Sequence, residues 1–167
     1  MERADLLSMT LPRLEGWVVQ ELGQPKFRAG QLYQWMHQKE ATSFDEMTNL
    51  SVPLRETLKE RAFLAPVRAK LTLRSQLDET QKFLLELGDG NCVEAVLMQY
   101  HHGASLCIST QVGCRMGCAF CASTLGGLVR SLTAGEMLGE VYEVQRRTGA
   151  PVDSLVLMGI GEPLDNF

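Results

Sequence analysis

The chain has 167 residues, 45% of them hydrophobic, and a formal net charge of −4. That supplies a core for one domain or two small ones, whereas no apolar run approaches the roughly 20 residues needed to cross a bilayer. The charge offers no electrostatic case for nucleic acid, and the opening residues carry acids instead of an export-signal core, so a soluble cytoplasmic protein is the expectation.

The first third reads as helical. Leu11, Leu14, Trp17 and Val18 fall at spacings that share one helix face. After the Gly23-Gln24-Pro25 break, Phe27, Leu32, Tyr33, Trp35 and Met36 mark a second helix, with core positions at its aromatic and Met residues. Ser51-Val52-Pro53 can open a third, with Ser51 as N-cap and Leu54 and Leu58 inside. Residues 1–75 hold 11 Lys+Arg against 9 Asp+Glu, and residues 76–167 hold 5 against 11. A solvated surface explains the small basic excess at the front as well as an RNA site does.

From Arg68 the pattern turns to strands at 69–75, 81–87 and 92–99. Gly88-Asp89-Gly90-Asn91 joins the last two as a hairpin, because Gly and Asn accept the positive φ angles of tight turns. Residues 105–111 then suit a strand that runs into a cysteine-rich loop. Thr133-Ala134-Gly135-Glu136 has the form of a capping box and starts a helix whose apolar face holds Met137, Leu138, Val141, Tyr142 and Val144. Residues 152–158 form a nearly continuous apolar run, the signature of a strand buried on both faces. Strand, helix and strand make a βαβ unit with a right-handed crossover.

Five cysteines are present, and Cys114, Cys118 and Cys121 stand in C-x₃-C-x₂-C spacing. Such clustering without an export signal points to metal chemistry more than to disulfides. Thiolates suit iron–sulfur clusters and zinc alike. A cubane normally takes four cysteines, so three leave one iron open for a substrate or cofactor. A structural zinc would need a fourth ligand, for which His101, His102, Cys92 or Cys107 are available. Gly113 and Gly117 let the backbone wrap an inorganic core closely, and Phe120 could shield it. Arg130, after the loop, could touch phosphate or be a solvated charge.

This loop, following a first strand, resembles the signature of radical S-adenosylmethionine (SAM) enzymes, and Gly159-Ile160-Gly161-Glu162-Pro163 resembles their Gly-Glu-Pro motif. With Val93-Glu94-Ala95-Val96, Leu106-Cys107-Ile108-Ser109-Thr110-Gln111-Val112-Gly113-Cys114 and Pro25-Lys26-Phe27-Arg28-Ala29-Gly30-Gln31-Leu32, the chain resembles the RNA adenine methyltransferases of the RlmN type. The resemblance implies a [4Fe–4S] cluster on Cys114, Cys118 and Cys121, with Gly161 and Glu162 contacting SAM. It implies Glu94 as the acceptor of the adenine C2 proton and Cys107 as the cysteine that resolves a protein–RNA crosslink through a transient disulfide. By its residues alone Glu94 is a polar strand position and Cys107 a small buried one. Cys92 receives no role.

The implied reaction is methylation at C2 of an adenine in large-subunit ribosomal RNA and, in many members of the family, also in certain transfer RNAs. It runs through a methylated cysteine and a 5′-deoxyadenosyl radical, with an electron donor such as flavodoxin or ferredoxin and a monomeric enzyme. A C8-specific relative, another radical-SAM enzyme, or a zinc-stabilised RNA-binding module are the alternatives. The expected fold is α/β: a helical accessory domain of RNA-binding type (1–66), an antiparallel β linker region (67–103), and the first βαβ part of a partial (β/α) radical-SAM barrel (104–167). A full barrel takes about 250 residues. The chain is therefore expected to be a fragment that lacks the methyl-carrying cysteine and is inactive alone.

Overall fold

The computed structural model describes residues 3–166, which divide into a first compact unit up to Ala65 and a second from Pro66.

In the first unit, α1 (Leu11–Leu22), α2 (Phe27–His37) and α3 (Val52–Arg61) follow the predicted pattern. Leu14, Val18, Leu32, Met36, Leu54 and Leu58 are buried, as their spacing requires. Gly23 ends α1 in the left-handed conformation at φ 60°, which a residue with a Cβ resists. Ser51 occupies the N-cap of α3, but its side chain makes no capping hydrogen bond. Phe27 is no core residue: at the start of α2 it is 60% exposed, with the Arg28 guanidinium 4.9 Å from its ring centre. Trp35 is half-buried and donates its indole N–H to Asn49 at 2.7 Å. Short strands β1 (Ala4–Asp5) and β2 (Ala62–Phe63) pair in parallel, a closure too brief to leave a sequence pattern.

The second unit is built on a five-stranded sheet of β3 (Val67–Arg74), β4 (Gln81–Leu87), β5 (Cys92–Tyr100), β6 (Gly103–Cys107) and β9 (Ser154–Val156), in that spatial order. The first four run antiparallel, and β6 and β9 are parallel. The antiparallel strands and the βαβ segment are thus one sheet, because β5 pairs with β6 from Val96–Cys107 to Tyr100–Gly103. Gly88-Asp89-Gly90-Asn91 forms the expected turn, with Gly90 at φ 85° and its N–H on the Leu87 carbonyl at 3.0 Å.

Helix α4 (Ala134–Thr148) crosses one face of the sheet. Phe83, Leu85, Val93, Ala95, Leu97, Leu106 and Ile108 meet Val141 and Val144 in a single core. The capping box is present: the Thr133 hydroxyl accepts from Glu136 N–H at 3.1 Å, and the Glu136 carboxylate accepts from Thr133 N–H at 3.0 Å. Glu143 takes the Ala69 N–H at 2.9 Å, where the β3–β4 register shifts, and so anchors that bulge to the helix.

Two expectations fail here. The strand read over 105–111 stops at Cys107, because the amides beyond it are taken by distant groups: Ser109 N–H by Glu140, and Thr110 and Gln111 N–H by the Ile160 carbonyl. Gln111–Gly113 then forms β7, which pairs with β8 (Leu128–Ser131) in a separate two-stranded ribbon. The run at 152–158 yields only the short β9, and it is not buried on both faces: Leu155 is 49% exposed and Met158 82%. Among the described residues β9 pairs only with β6, so its other edge is unpaired.

Candidate functional site

Strand alternation decides which side chains face α4. Since Val93, Ala95, Leu97, Leu106 and Ile108 point into its core, Glu94 and Cys107 lie on the opposite face. Val96 pairs directly with Cys107, which puts Glu94 one diagonal step from that cysteine, roughly 7–8 Å between backbones. Lys82, on the same face of β4, sits 2.8 Å from Glu94 Oε1. Composition and motif reading pass over Lys82. Its alternation with buried Phe83 and Leu85 was the available signal.

Burial pushes the Cys107 thiol above its usual pKa, and the neighbouring Glu140 charge adds to this, while the Met158 backbone N–H opposes it. Cys107 therefore remains a neutral thiol at physiological pH until a partner engages it.

The cysteine loop hangs from the β7–β8 ribbon. Cys114 is buried and its N–H donates to the Gly127 carbonyl at 3.0 Å. Gly113 has φ 74°, and a Cβ there would run into the Gly127 carbonyl, so only glycine allows the two strands to meet. Cys121 N–H donates to the Cys118 carbonyl at 3.1 Å, a tight turn carrying both thiols. Cys118 is exposed and Cys121 half-buried. Among the described residues, no three Cys, His, Asp or Glu side chains are gathered closely enough to hold a metal ion. The thiols share one short anchored loop without converging. Phe120 and Leu125 are 95% and 87% exposed, forming an apolar rim on this loop.

The donor set suits an iron–sulfur cluster better than zinc. His101 and His102 sit before β6, with His102 stacked on Tyr100 and His101 edge-on to His102, at the far end of the strand from the loop, about 15 Å along β6. Cys92 lies at the start of β5 with its sulfur 4.0 Å from the Gly90 carbonyl. Three soft thiolates on a glycine-jointed loop fit a cluster with one open iron.

The Gly159–Pro163 segment packs on the end of β6 by backbone contacts. Gly159 N–H donates to the Ile108 carbonyl at 3.0 Å, Ile160 N–H to the Ser109 hydroxyl at 3.0 Å, and Glu162 N–H to Gln111 Oε1 at 3.0 Å. A Cβ on Gly161, which has φ 108°, would stand 2.6 Å from Gln111 Cβ and 2.8 Å from Thr110 Oγ1. Glu162 Oε1 accepts Leu164 N–H at 3.0 Å and caps the turn at Pro163–Asp165. Asp165 pairs with Arg115 of the cysteine loop, and this contact holds its carboxyl below the usual range. Gln111, fully buried, also donates to Asp165 Oδ2 at 3.1 Å. The two loops are thereby tied together at the carboxyl ends of the parallel pair β6 and β9, where open α/β sheets bind ligands.

Arg130 is no free phosphate contact. Its guanidinium forks onto both Glu136 oxygens at 2.8 Å and reaches Asp89 at 2.7 Å.

The family described as ribosomal RNA large subunit methyltransferase N-terminal domain matches residues 4–64. A probable dual-specificity RNA methyltransferase RlmN of Lachnospira eligens is 60% identical over 149 residues, 87% of this chain and 42% of the relative. The protein of the same description from Alkaliphilus oremlandii is 50% identical over all of this chain and 48% of its own length. A crystal structure of a radical SAM methyltransferase from Sphaerobacter thermophilus superposes with a TM-score of 0.89 at 38% identity, covering 98% of this chain and 49% of that one. The chain spans somewhat under half the length of the curated relatives it matches.

Proposed function

The chain belongs to the RlmN family, and from that premise we propose that it carries the cluster- and SAM-binding part of a radical-SAM methyltransferase acting on C2 of an adenine in 23S ribosomal RNA and in transfer RNA. The observation that carries this reading is that Glu94 and Cys107 share one face of the sheet at the end where the Gly159–Pro163 loop packs, with the cysteine loop tied to that end through Arg115 and Asp165. Separate stretches of chain supply these groups, and a merely structural fold has no need to assemble them.

In this reading Cys114, Cys118 and Cys121 would hold the cluster, and the iron left without a cysteine would be open to SAM. When bound, cluster and SAM supply the radical chemistry that an unactivated aromatic C–H requires, with flavodoxin or ferredoxin as the class of electron donor. The chain's own groups do the remaining work. The Gly159–Glu162 backbone receives the amino-acid end of SAM, and the missing Cβ atoms of Gly159 and Gly161 seat that backbone directly against residues 108–111. Glu94 accepts the C2 proton, and Lys82, diagonal to it on β4, steadies the carboxylate. The Cys107 thiol, on the same face, is placed to engage an RNA-linked intermediate.

The test is anaerobic reconstitution with iron and sulfide, followed by metal analysis and EPR with and without SAM. About four irons and a reduced-cluster signal that changes with SAM are expected, with each of Cys114→Ala, Cys118→Ala and Cys121→Ala losing the cluster. Colourless protein holding one zinc would overturn the reading in favour of a zinc-stabilised RNA-binding module.

A further inference from the structure

Ser109 sits where β6 has ended but its partner β5 continues. Two positions beyond the Val96–Cys107 pair, it falls opposite Glu94. No backbone ladder bond is made there. Instead the Ser109 hydroxyl donates to the Glu94 carbonyl at 2.7 Å and accepts the Ile160 N–H at 3.0 Å. The directions are unambiguous, because a carbonyl only accepts and an amide only donates. Ser109 N–H donates to Glu140 Oε2 at 3.2 Å, and the residue is 0% exposed. Gly159 packs so closely that a Cβ on it would stand 2.8 Å from the Ser109 oxygen. One hydroxyl thus replaces a missing ladder bond, and it joins the backbone of Glu94 to the backbone of the Gly-Ile-Gly-Glu-Pro loop.

We propose that Ser109 is a positioning residue that fixes the spacing between Glu94 and the Gly159–Glu162 loop, so that proton acceptor and SAM seat are set by one shared hydrogen-bond hub. The proposal rests on the functional reading above for the roles of those two elements. Its geometry stands independently. Alanine at 109 leaves the Glu94 carbonyl and Ile160 N–H without their common partner, in a place water does not reach. A buried amide that loses its acceptor costs free energy and opens more often.

The experiment compares Ser109→Ala with the parent chain in two readouts. By NMR hydrogen exchange, the Ile160 amide should exchange about tenfold faster in S109A, while Val144 and the β4–β5 amides keep their protection. After cluster reconstitution, the SAM dissociation constant should rise about tenfold with iron content unchanged. Leu106→Val, a buried change that touches neither loop, serves as the stability control and should leave SAM affinity as in the parent. Unchanged Ile160 exchange, or faster exchange without loss of SAM affinity, overturns the proposal. Should S109A fail to fold, the parent decides: its Ile160 amide must be as protected as that of Gly159, and rapid exchange there overturns the hub. A parent that takes up its irons but shows no response to SAM would sink the functional reading itself, whatever the exchange rates.

Discussion

Arg130 and Glu136 form a two-pronged ion pair, with both guanidinium arms 2.8 Å from the two carboxylate oxygens. Glu136 also closes the capping box of α4, and Arg130 reaches on to Asp89 in the β4–β5 turn. These contacts raise the Arg130 pKa and lower that of Asp89, so both of these groups stay charged. Ribbon, helix start and hairpin turn are held by one guanidinium.

Arg130→Ala should therefore destabilise the second unit by roughly 1–2 kcal/mol, the range for a charge-assisted pair that is partly buried. Lysine cannot fork and should restore less than half of the loss. Urea midpoints at low and high salt provide the check. If R130A unfolds at the parent's midpoint, the pin contributes nothing.

Glu140 is fully buried on α4, accepts the Ser109 N–H and leaves its other oxygen, Oε1, without a hydrogen-bond partner among the described residues. Burial foremost raises its pKa well above 4.5, with the Glu136 charge adding to the rise and the Ser109 N–H opposing it. The native state thus keeps a proton that the unfolded chain gives up above its ordinary value. Its contribution is fully present below pH 4.5 and declines as pH rises through the native pKa. Glu140→Gln should remove this dependence and equal or exceed the parent in stability at neutral pH. Unfolding curves from pH 4 to 8 would show the parent losing stability relative to E140Q; parallel curves would contradict the assignment.

Gly161→Ala places a methyl group against Gln111 and Thr110 in a backbone conformation that side chains rarely adopt. A loss of about 2 kcal/mol or more is expected from crowding and strain together. Cluster loading should persist, because the cysteine loop is anchored at Gly127 and not through Gly161, whereas the SAM-dependent EPR change should disappear. Retention of both signals would show that the loop tolerates a side chain and does not seat SAM.

Lys82 and Glu94 form an ion pair whose side chains are 46% and 42% exposed. Such pairs contribute little, so Lys82→Met and Glu94→Gln should each shift stability by less than about 0.5 kcal/mol. In an active full-length relative carrying the matching change, Glu94→Gln should nevertheless abolish the methylated product. Mass spectrometry of the modified nucleoside measures the yield and separates C2 from C8 products.

Local chemistry made much of the fold legible. The α4 capping box, the Gly88–Asn91 turn and the helices of the first unit each arise from residues a few positions apart, and each formed where expected. Failures occurred where distant partners decide. The strand through Ser109 is broken by Ile160 and Glu140, 51 and 31 residues away, and no local pattern announces either. Residues 152–158 look like a central strand, but apolar content cannot tell a covered strand from an edge. Phe27 reads as core by composition, yet a position in the first turn of a helix can point outward. At the site, the cysteine spacing speaks for itself chemically. Glu94 and Cys107 carried no signal apart from the family resemblance. Ser109, Lys82 and Glu140 act through backbone or ion-pair contacts that only the folded chain brings together.

The β7–β8 ribbon has a thermodynamic consequence. Pairing Gly113 with Leu128 holds the ends of the intervening cysteine segment together, and closing a flexible loop of that length costs on the order of 2 kcal/mol in chain entropy. Folding of the ribbon meets that cost before any ligand arrives, so whatever the thiols grip inherits the difference as affinity. By linkage, occupation of the loop should return the favour, and the ribbon's amides should be the ones that slow most when iron is bound.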